Sequence, residues 1–115
     1  MSMISEIVAL GADYNDAMGR FMNKESFYER MLKKFPKSID DNPVMPLLEA
    51  GQYEEAIAPA HTLKGVTGNL SLTPLYTAYT QVVADLRAKN YEQAVAEYKA
   101  LLPLQAQFRK AIEEN

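Results

Sequence analysis

The segment "LTPLYTAYTQVVADLRAKNYEQAVAEY", residues 72–98, decides the fold class. Thr73 followed by Pro74 predicts the start of a helix with Thr73 as its N-cap. Asn90 predicts the start of a second helix, with Gln93 reaching back to the Asn90 amide in a capping box. Between these signals, apolar residues alternate three- and four-residue steps, as in the buried seam of a bundle helix: Leu72, Leu75, Tyr79, Val82 and Leu86. The segment therefore predicts two neighbouring bundle helices.

Helical periodicity extends through the rest of the chain, and strand signals are absent. Pro59 and Pro103 lie inside apolar-periodic stretches, so we expect a kink at each proline, or a later start for the helix that contains Pro59. The other expected elements are a short helix capped by Asp13, a longer one capped by Asn23 and reaching Phe35, a short one closed by Gly51, and one from Tyr53 to Leu70. We predict an all-α fold, an up-down four-helix bundle with a short N-terminal helical cover, in which residues 1–115 form one domain.

Composition narrows the classes of function. The 115 residues carry 12 basic and 15 acidic side chains and a formal net charge of −3. No block of about five or more like charges occurs, which argues against nucleic acid as the main partner. There is no cysteine, which suits a reducing compartment. No apolar run approaches the roughly 20 residues that cross a bilayer. We therefore expect a soluble, cytoplasmic monomer that does not bind membranes.

The only histidine of the chain lies in "AHTLKGVTGNL", residues 60–70. At about 100° per residue, with His61 at 0°, Lys64 falls near 300°, Gly65 near 40° and Gly68 near 340°. Leu63 falls near 200°, on the opposite side of the helix, where a bundle buries its aliphatic residues. We therefore expect His61 to face solvent.

The two glycines give this exposed histidine a functional interpretation. Each costs up to about 1 kcal/mol against alanine in a helix interior, so we expect a benefit elsewhere. A surface without side chains lets a macromolecular partner approach the imidazole, and Ile57 and Ala58 would add an apolar rim for docking. A neutral imidazole has a nitrogen lone pair that can attack phosphorus, and the Lys64 ammonium would suit an attached anion.

These residues resemble a known family. "AHTLKGVTGNL" is similar to the signature of histidine-containing phosphotransfer (HPt) domains, a histidine followed by Leu-Lys-Gly and small residues. The likeness covers most of the chain, through "GADYNDAMGRFMNKESFYERMLKKF" (residues 11–35), "LLEAGQYEEAIAPAHTLKG" (47–65) and "NYEQAVAEY" (90–98).

The resemblance implies a four-helix bundle in a multistep two-component phosphorelay. His61 would accept a phosphoryl group from the aspartate of a response-regulator receiver domain and pass it to another, with a hybrid sensor kinase upstream. Lys64 would stabilise the phosphate, and Gly65 and Gly68 would admit the receiver. The domain would need no cofactor of its own, since Mg²⁺ belongs to the receiver, and it would be a carrier without ATP-dependent enzyme activity.

Two residues depart from the pattern of the family. Ser71 stands where many members have a glycine after the leucine that closes the motif. Val83 stands where members with an imidazole-binding glutamine carry it, and Thr80 or Tyr76 would have to substitute. Both departures bear on how a phosphohistidine at position 61 is held.

Other interpretations of His61 remain. It can be a surface histidine without a role, although Lys64 and the two glycines on its face disfavour this. A metal site would need further ligands that a single histidine without cysteine does not provide. A helical adaptor that docks signalling proteins without phosphotransfer is the main alternative. An autonomous enzyme ranks third, because no second catalytic group besides Lys64 shares the face of His61.

Overall fold

The computed structural model describes residues 2–115. This part of the chain contains eight α-helices and no strand. The all-α fold class is therefore confirmed. Five short helices precede three longer ones: α1 (Met3–Ala9), α2 (Tyr14–Arg20), α3 (Glu25–Leu32), α4 (Phe35–Asp41), α5 (Met45–Glu49), α6 (Tyr53–Asn69), α7 (Thr73–Arg87) and α8 (Tyr91–Glu113).

The three long helices form the centre of the fold. α6 packs against α7 and α7 packs against α8, while the shorter helices cover their remaining sides. The Tyr79 hydroxyl near the middle of α7 donates to Gln105 Oε1 in the second half of α8. Asp85, nearer the end of α7, faces Glu97, nearer the start of α8. This order of contacts shows that α7 and α8 run antiparallel.

The predicted seam of α7 lies in the core. Each of its five apolar residues is 0–1% exposed: Leu72, Leu75, Tyr79, Val82 and Leu86. Phe108 and Ile112 of α8 are also buried, at 0% and 2% exposure. Burying a side chain of this size contributes about 1.5–3 kcal/mol, so the seam supplies much of the driving force for the central packing.

The prediction that Asp13 caps a helix is confirmed, because its side chain accepts a hydrogen bond from the Asp16 amide (3.0 Å) at the start of α2. The prediction for Asn23 is wrong. α3 begins at Glu25, and Asn23 has a φ of 58° while its amide donates to the Met18 carbonyl (2.8 Å). Asparagine tolerates this left-handed backbone, so Asn23 closes the end of α2 instead of opening α3.

The helix expected to reach Phe35 is broken in two. α3 ends at Leu32, and Phe35 begins α4 after Lys33 and Lys34. Pro36 explains the break, because it has no amide hydrogen to donate to the Leu32 carbonyl in a continuous helix.

Two predicted caps are also wrong. α7 begins at Thr73 itself, so the N-cap position belongs to Leu72, which makes no side-chain cap bond. Asn90 holds the N-cap position of α8, but its side-chain amide donates to Asp85 Oδ1 (3.4 Å) and forms no capping box with Gln93. The buried carboxylate of Asp85 needs donors, and this requirement outweighs the local capping pattern.

The prolines inside the long helices do not end them. α6 continues through Pro59 and α8 continues through Pro103. The helix that contains Pro59 starts at Tyr53, so the expected bounds of α6 are confirmed and the later start is excluded. The predicted closure of α5 by Gly51 is also confirmed, at a φ of 73°.

Two carboxyl groups face each other between α7 and α8. Asp85 is buried, and Glu97 Oε1 is buried with no hydrogen-bond partner among residues 2–115. The pKa of Glu97 is raised from its ordinary 4.5 to about 7, mainly because the carboxyl group is buried and to a smaller extent because Asp85 lies beside it. Between these two values the folded state binds a proton that the unfolded chain releases, so stability should fall as the pH rises through this window.

Glu97→Gln is therefore expected to raise the melting temperature at about pH 8 and to leave it nearly unchanged at about pH 5, where wild-type Glu97 is largely protonated. Thermal unfolding at both pH values measures the difference. Glu92→Gln, at an exposed position of the same helix, is the control and should act equally at both. An equal effect of Glu97→Gln at both pH values would contradict the raised pKa.

Candidate functional site

Helix α6 presents His61 to solvent. His61 is exposed, whereas Leu63, two residues further, is 1% exposed and belongs to the core. The predicted orientation of the helix is therefore correct. We call the surface around His61, Lys64, Gly65 and Gly68 the His61 face.

Gly65 leaves the backbone of this face uncovered. A Cβ atom added at Gly65 would meet no atom within 4 Å, other than its chain neighbours and the backbone of its own helix. Nothing inside the described structure therefore requires a glycine here. Relative to alanine, Gly65 lowers the stability of the helix by up to about 1 kcal/mol.

Gly68 is different, and the expectation that it opens the surface is corrected. A Cβ at Gly68 would lie 2.8 Å from Cδ1 and 3.0 Å from Cε1 of Tyr76. The Tyr76 ring thus occupies the place of a Gly68 side chain and remains 39% exposed. Gly68 serves a contact between α6 and α7, and the ring is the outer surface at that point.

Lys64 lies one turn beyond His61 and is partly buried. It takes part in none of the four ion pairs formed within residues 2–115. Its backbone carbonyl accepts a hydrogen bond from the Thr67 hydroxyl (3.0 Å), which also donates to the Leu63 carbonyl (2.8 Å). The ammonium group therefore has no carboxylate partner within that range.

Ile57 and Ala58 lie one turn before His61. Ala58 is exposed, but Ile57 is partly buried and packs against the core. The apolar rim predicted on this side is therefore small, formed by Ala58 and the accessible part of Ile57.

Ser71 holds the end of α6 in a fixed position. It takes the glycine-like φ of 57°, and the Leu72 amide donates back to the Thr67 carbonyl (2.9 Å), as in a Schellman motif. The Ser71 hydroxyl donates to Asp16 Oδ2 (2.7 Å), and the Tyr28 hydroxyl donates to the Leu70 carbonyl (2.7 Å). Ser71 thus holds a left-handed backbone that glycine adopts more easily, and its hydrogen bond offsets part of the backbone cost.

α7 offers the imidazole little at the expected positions. Val83 is 2% exposed and part of the core. The Thr80 hydroxyl donates to the Tyr76 carbonyl (2.7 Å) of its own helix, and the Tyr76 ring lies over Gly68, two turns beyond His61. The hydroxyl proton of Thr80 is therefore engaged within α7.

A groove of about 350 Å³ runs beside Gly65 and Gly68. Its far wall comes from α2, where Asp16 pairs with Arg20 (2.9 Å), and this pair and the Ser71 hydrogen bond lower the pKa of Asp16. Neither α2 residue was predicted from the sequence, and Tyr76 was expected only as a substitute for an imidazole-binding glutamine. The three-residue loop between α6 and α7 could have indicated Tyr76, because it places residues near 68 and 76 side by side.

Two features are absent from the described residues, and the comparisons with known proteins add no relative. Residues 2–115 contain no cluster of three or more His, Cys, Asp or Glu side chains arranged to hold a metal ion. No helix in that range is both long and apolar enough to cross a membrane. Comparison with protein-family models, curated proteins and solved structures found no match to this chain.

Gly65→Ala is expected to raise the free energy of unfolding by up to about 1 kcal/mol, because the new Cβ enters open space and the helix gains propensity. Urea unfolding measures the change. Gly68→Ala is the matched control, and its gain should be smaller or reversed because its Cβ collides with Tyr76. A loss of stability in Gly65→Ala would show that position 65 is enclosed.

Proposed function

We propose that the protein is a histidine phosphotransfer domain of a multistep phosphorelay, with His61 as the phosphoryl carrier and receiver domains of response regulators as donor and acceptor. One observation carries the proposal. An exposed imidazole lies one turn from Gly65, whose missing side chain leaves open surface and benefits nothing within the described structure. A helix surface kept bare beside a nucleophile suits a partner that brings its own reactive group close.

The imidazole of His61 is the nucleophile of the transfer step. A ring nitrogen attacks the phosphorus of an aspartyl phosphate, the P–N bond forms, and the P–O bond to the aspartate breaks. The aspartate leaves as a carboxylate with the electron pair, and the imidazole keeps the proton on its other nitrogen. Attack by the carboxylate of a second receiver reverses the step and passes the group on.

Lys64 and the partner share the charge of the transferred group. Phosphoryl transfer gathers negative charge on the phosphoryl oxygens, which cations stabilise. In this proposal Mg²⁺ is held by the receiver, and the Lys64 ammonium supplies the positive charge on this side. The protein then acts as a carrier in the cytoplasm, with a hybrid sensor kinase as the original source of phosphate.

The helices are compatible with an up-down four-helix bundle. α6, α7 and α8 would be three of its members, and α3 with α4 would together form the fourth, broken at Pro36. The contacts of α4 with both α6 and α8 support this assignment. α1 and α2 would be the N-terminal cover.

The experiment is phosphotransfer from phosphorylated receiver domains of the same genome. The protein should gain phosphate that is labile in acid and stable in base, as expected for a phosphoramidate. Gly65→Gln should slow this transfer because its side chain blocks the approach, whereas Gly65→Ala should affect it less. Absence of label from every receiver would contradict the proposal.

A helical adaptor without phosphotransfer is the second candidate. The burial of Val83 favours it, since no side chain at that position can orient the imidazole. An adaptor would bind receivers whether or not His61 is present, so binding that persists without any labelling would identify it.

A further inference from the structure

Three exposed cations lie together where α3 meets α4. Arg30, Lys33 and Lys34 form what we call the basic cluster, and all three are exposed. The segment 30–37 holds four of the twelve basic residues of the chain and no acidic residue, although the net charge of the protein is −3. The cluster is therefore a local positive patch on an acidic protein.

The two carboxylates of α4 do not neutralise the cluster, and Glu29 of α3, one turn before Lys33, forms no ion pair with it. Lys37 pairs with Asp41 (2.9 Å), and Asp40 pairs with Arg109 of α8 (2.8 Å). Within residues 2–115, no member of the cluster belongs to an ion pair. Both carboxylates of α4 are thus engaged elsewhere, and the positive potential of the cluster stays open to solvent.

Folding explains part of the cluster and leaves Lys34 unexplained. Arg30 and Lys33 lie at the C-terminal end of α3, where cations interact favourably with the helix dipole. Lys34 lies at the N-terminal end of α4, where a cation is unfavourable, and the first turn of α4 holds no acidic residue. Like Gly65, Lys34 brings the folded state no evident benefit.

The cluster is continuous with the His61 face. Lys34 lines a groove of about 200 Å³ together with Val66 and Asn69 of α6. Asn69 also lines the groove that borders Gly65 and Gly68. A partner that covers both grooves would therefore lie against Lys34 as well as Gly65.

We propose that the basic cluster, together with Lys64, steers the acidic face of a phosphorylated receiver onto His61. This inference rests on the proposed function. A receiver carries its phosphoryl group on an aspartate and needs further carboxylates to hold Mg²⁺, so its reactive face is acidic. Complementary charge accelerates encounter and orients the partner, and it does so most strongly at low ionic strength.

The test measures the second-order rate of transfer from a phosphorylated receiver at ionic strengths of about 10 mM and about 300 mM. The double variant Lys33→Glu/Lys34→Glu should transfer at least about tenfold more slowly than wild type at low salt, with the gap closing at high salt. Lys99→Glu/Lys110→Glu makes the same change of charge at exposed positions of α8 and is the control. Its rate should stay within about threefold of wild type at both salts.

Phosphoramidate, a small phosphodonor that needs no docking, separates the two proposals. It should label wild type and the cluster variant equally, and circular dichroism should show both to be folded. If the cluster variant proves unfolded, the single variant Lys34→Gln replaces it, with a smaller slowing expected in the same direction.

Two outcomes would overturn the inference. If receivers label wild type but the cluster variant matches the α8 control at every salt concentration, steering is wrong and the proposed function stands. If no receiver labels wild type, the proposed function fails and the inference fails with it, even where phosphoramidate labels His61.

Discussion

His61→Gln is expected to remove all phosphoryl acceptance while the melting temperature changes by less than about 3 °C. Glutamine keeps a polar side chain of similar length and forms helices well, but it has no nucleophilic nitrogen. His61 is exposed, so little packing is lost. No other histidine exists in the chain to take over, so the loss of acid-labile label should be complete.

Labelling by a phosphorylated receiver and thermal unfolding measure the two halves of this prediction. Thr62→Ala, at the exposed neighbouring position, is the control and should keep its label. Label that persists in His61→Gln would place the phosphate on another residue. A large drop in melting temperature would mean that the imidazole is part of the core.

Leu63→Ala should change the stability and not the labelling. We expect it to lower the free energy of unfolding by about 2–5 kcal/mol. Leu63 is 1% exposed, so its truncation removes core contacts and leaves a cavity. The loss is a large share of the roughly 5–15 kcal/mol that stabilises a domain. The surviving folded fraction should still accept phosphate, because the His61 face is unchanged.

Urea unfolding of wild type, Leu63→Ala and Thr62→Ala measures this difference. The two substitutions are adjacent in sequence and lie on different sides of α6, so their contrast tests the orientation of the helix directly. If Leu63→Ala costs less than about 1 kcal/mol, Leu63 is not in the core and His61 does not face outward as described.

The sequence allowed most of the helices and their buried faces to be predicted, because apolar spacing is a local property, although α1 was not among the expected elements. The seam of α7 and the orientation of α6 needed only the helical repeat. The break between α3 and α4 also has a local cause. Pro36 has no amide hydrogen, and this property of the sequence would have indicated the break. The cap errors have another origin: Asn23 closes α2 through its backbone, and the Asn90 side chain donates to Asp85 of α7.

The candidate site was predictable only where one helix provides it. His61, Lys64 and Gly65 occupy one side of α6, so their arrangement followed from the helical repeat. The contact of Tyr76 with Gly68 depends on how α6 and α7 meet. The hydrogen bond from Ser71 to Asp16 spans 55 residues, a separation at which local patterns carry no information.

The anchored end of α6 has a consequence for the thermodynamics of recognition. Ser71 ties this end to α2, and Tyr28 ties it to α3, so the backbone beyond Gly65 is already ordered before any partner arrives. Little conformational entropy of this surface would then be lost on association, and a partner could dock with little change in the backbone of α6. A preorganised platform of this kind permits brief, repeated encounters, since neither arrival nor departure has to wait for the helix to fold.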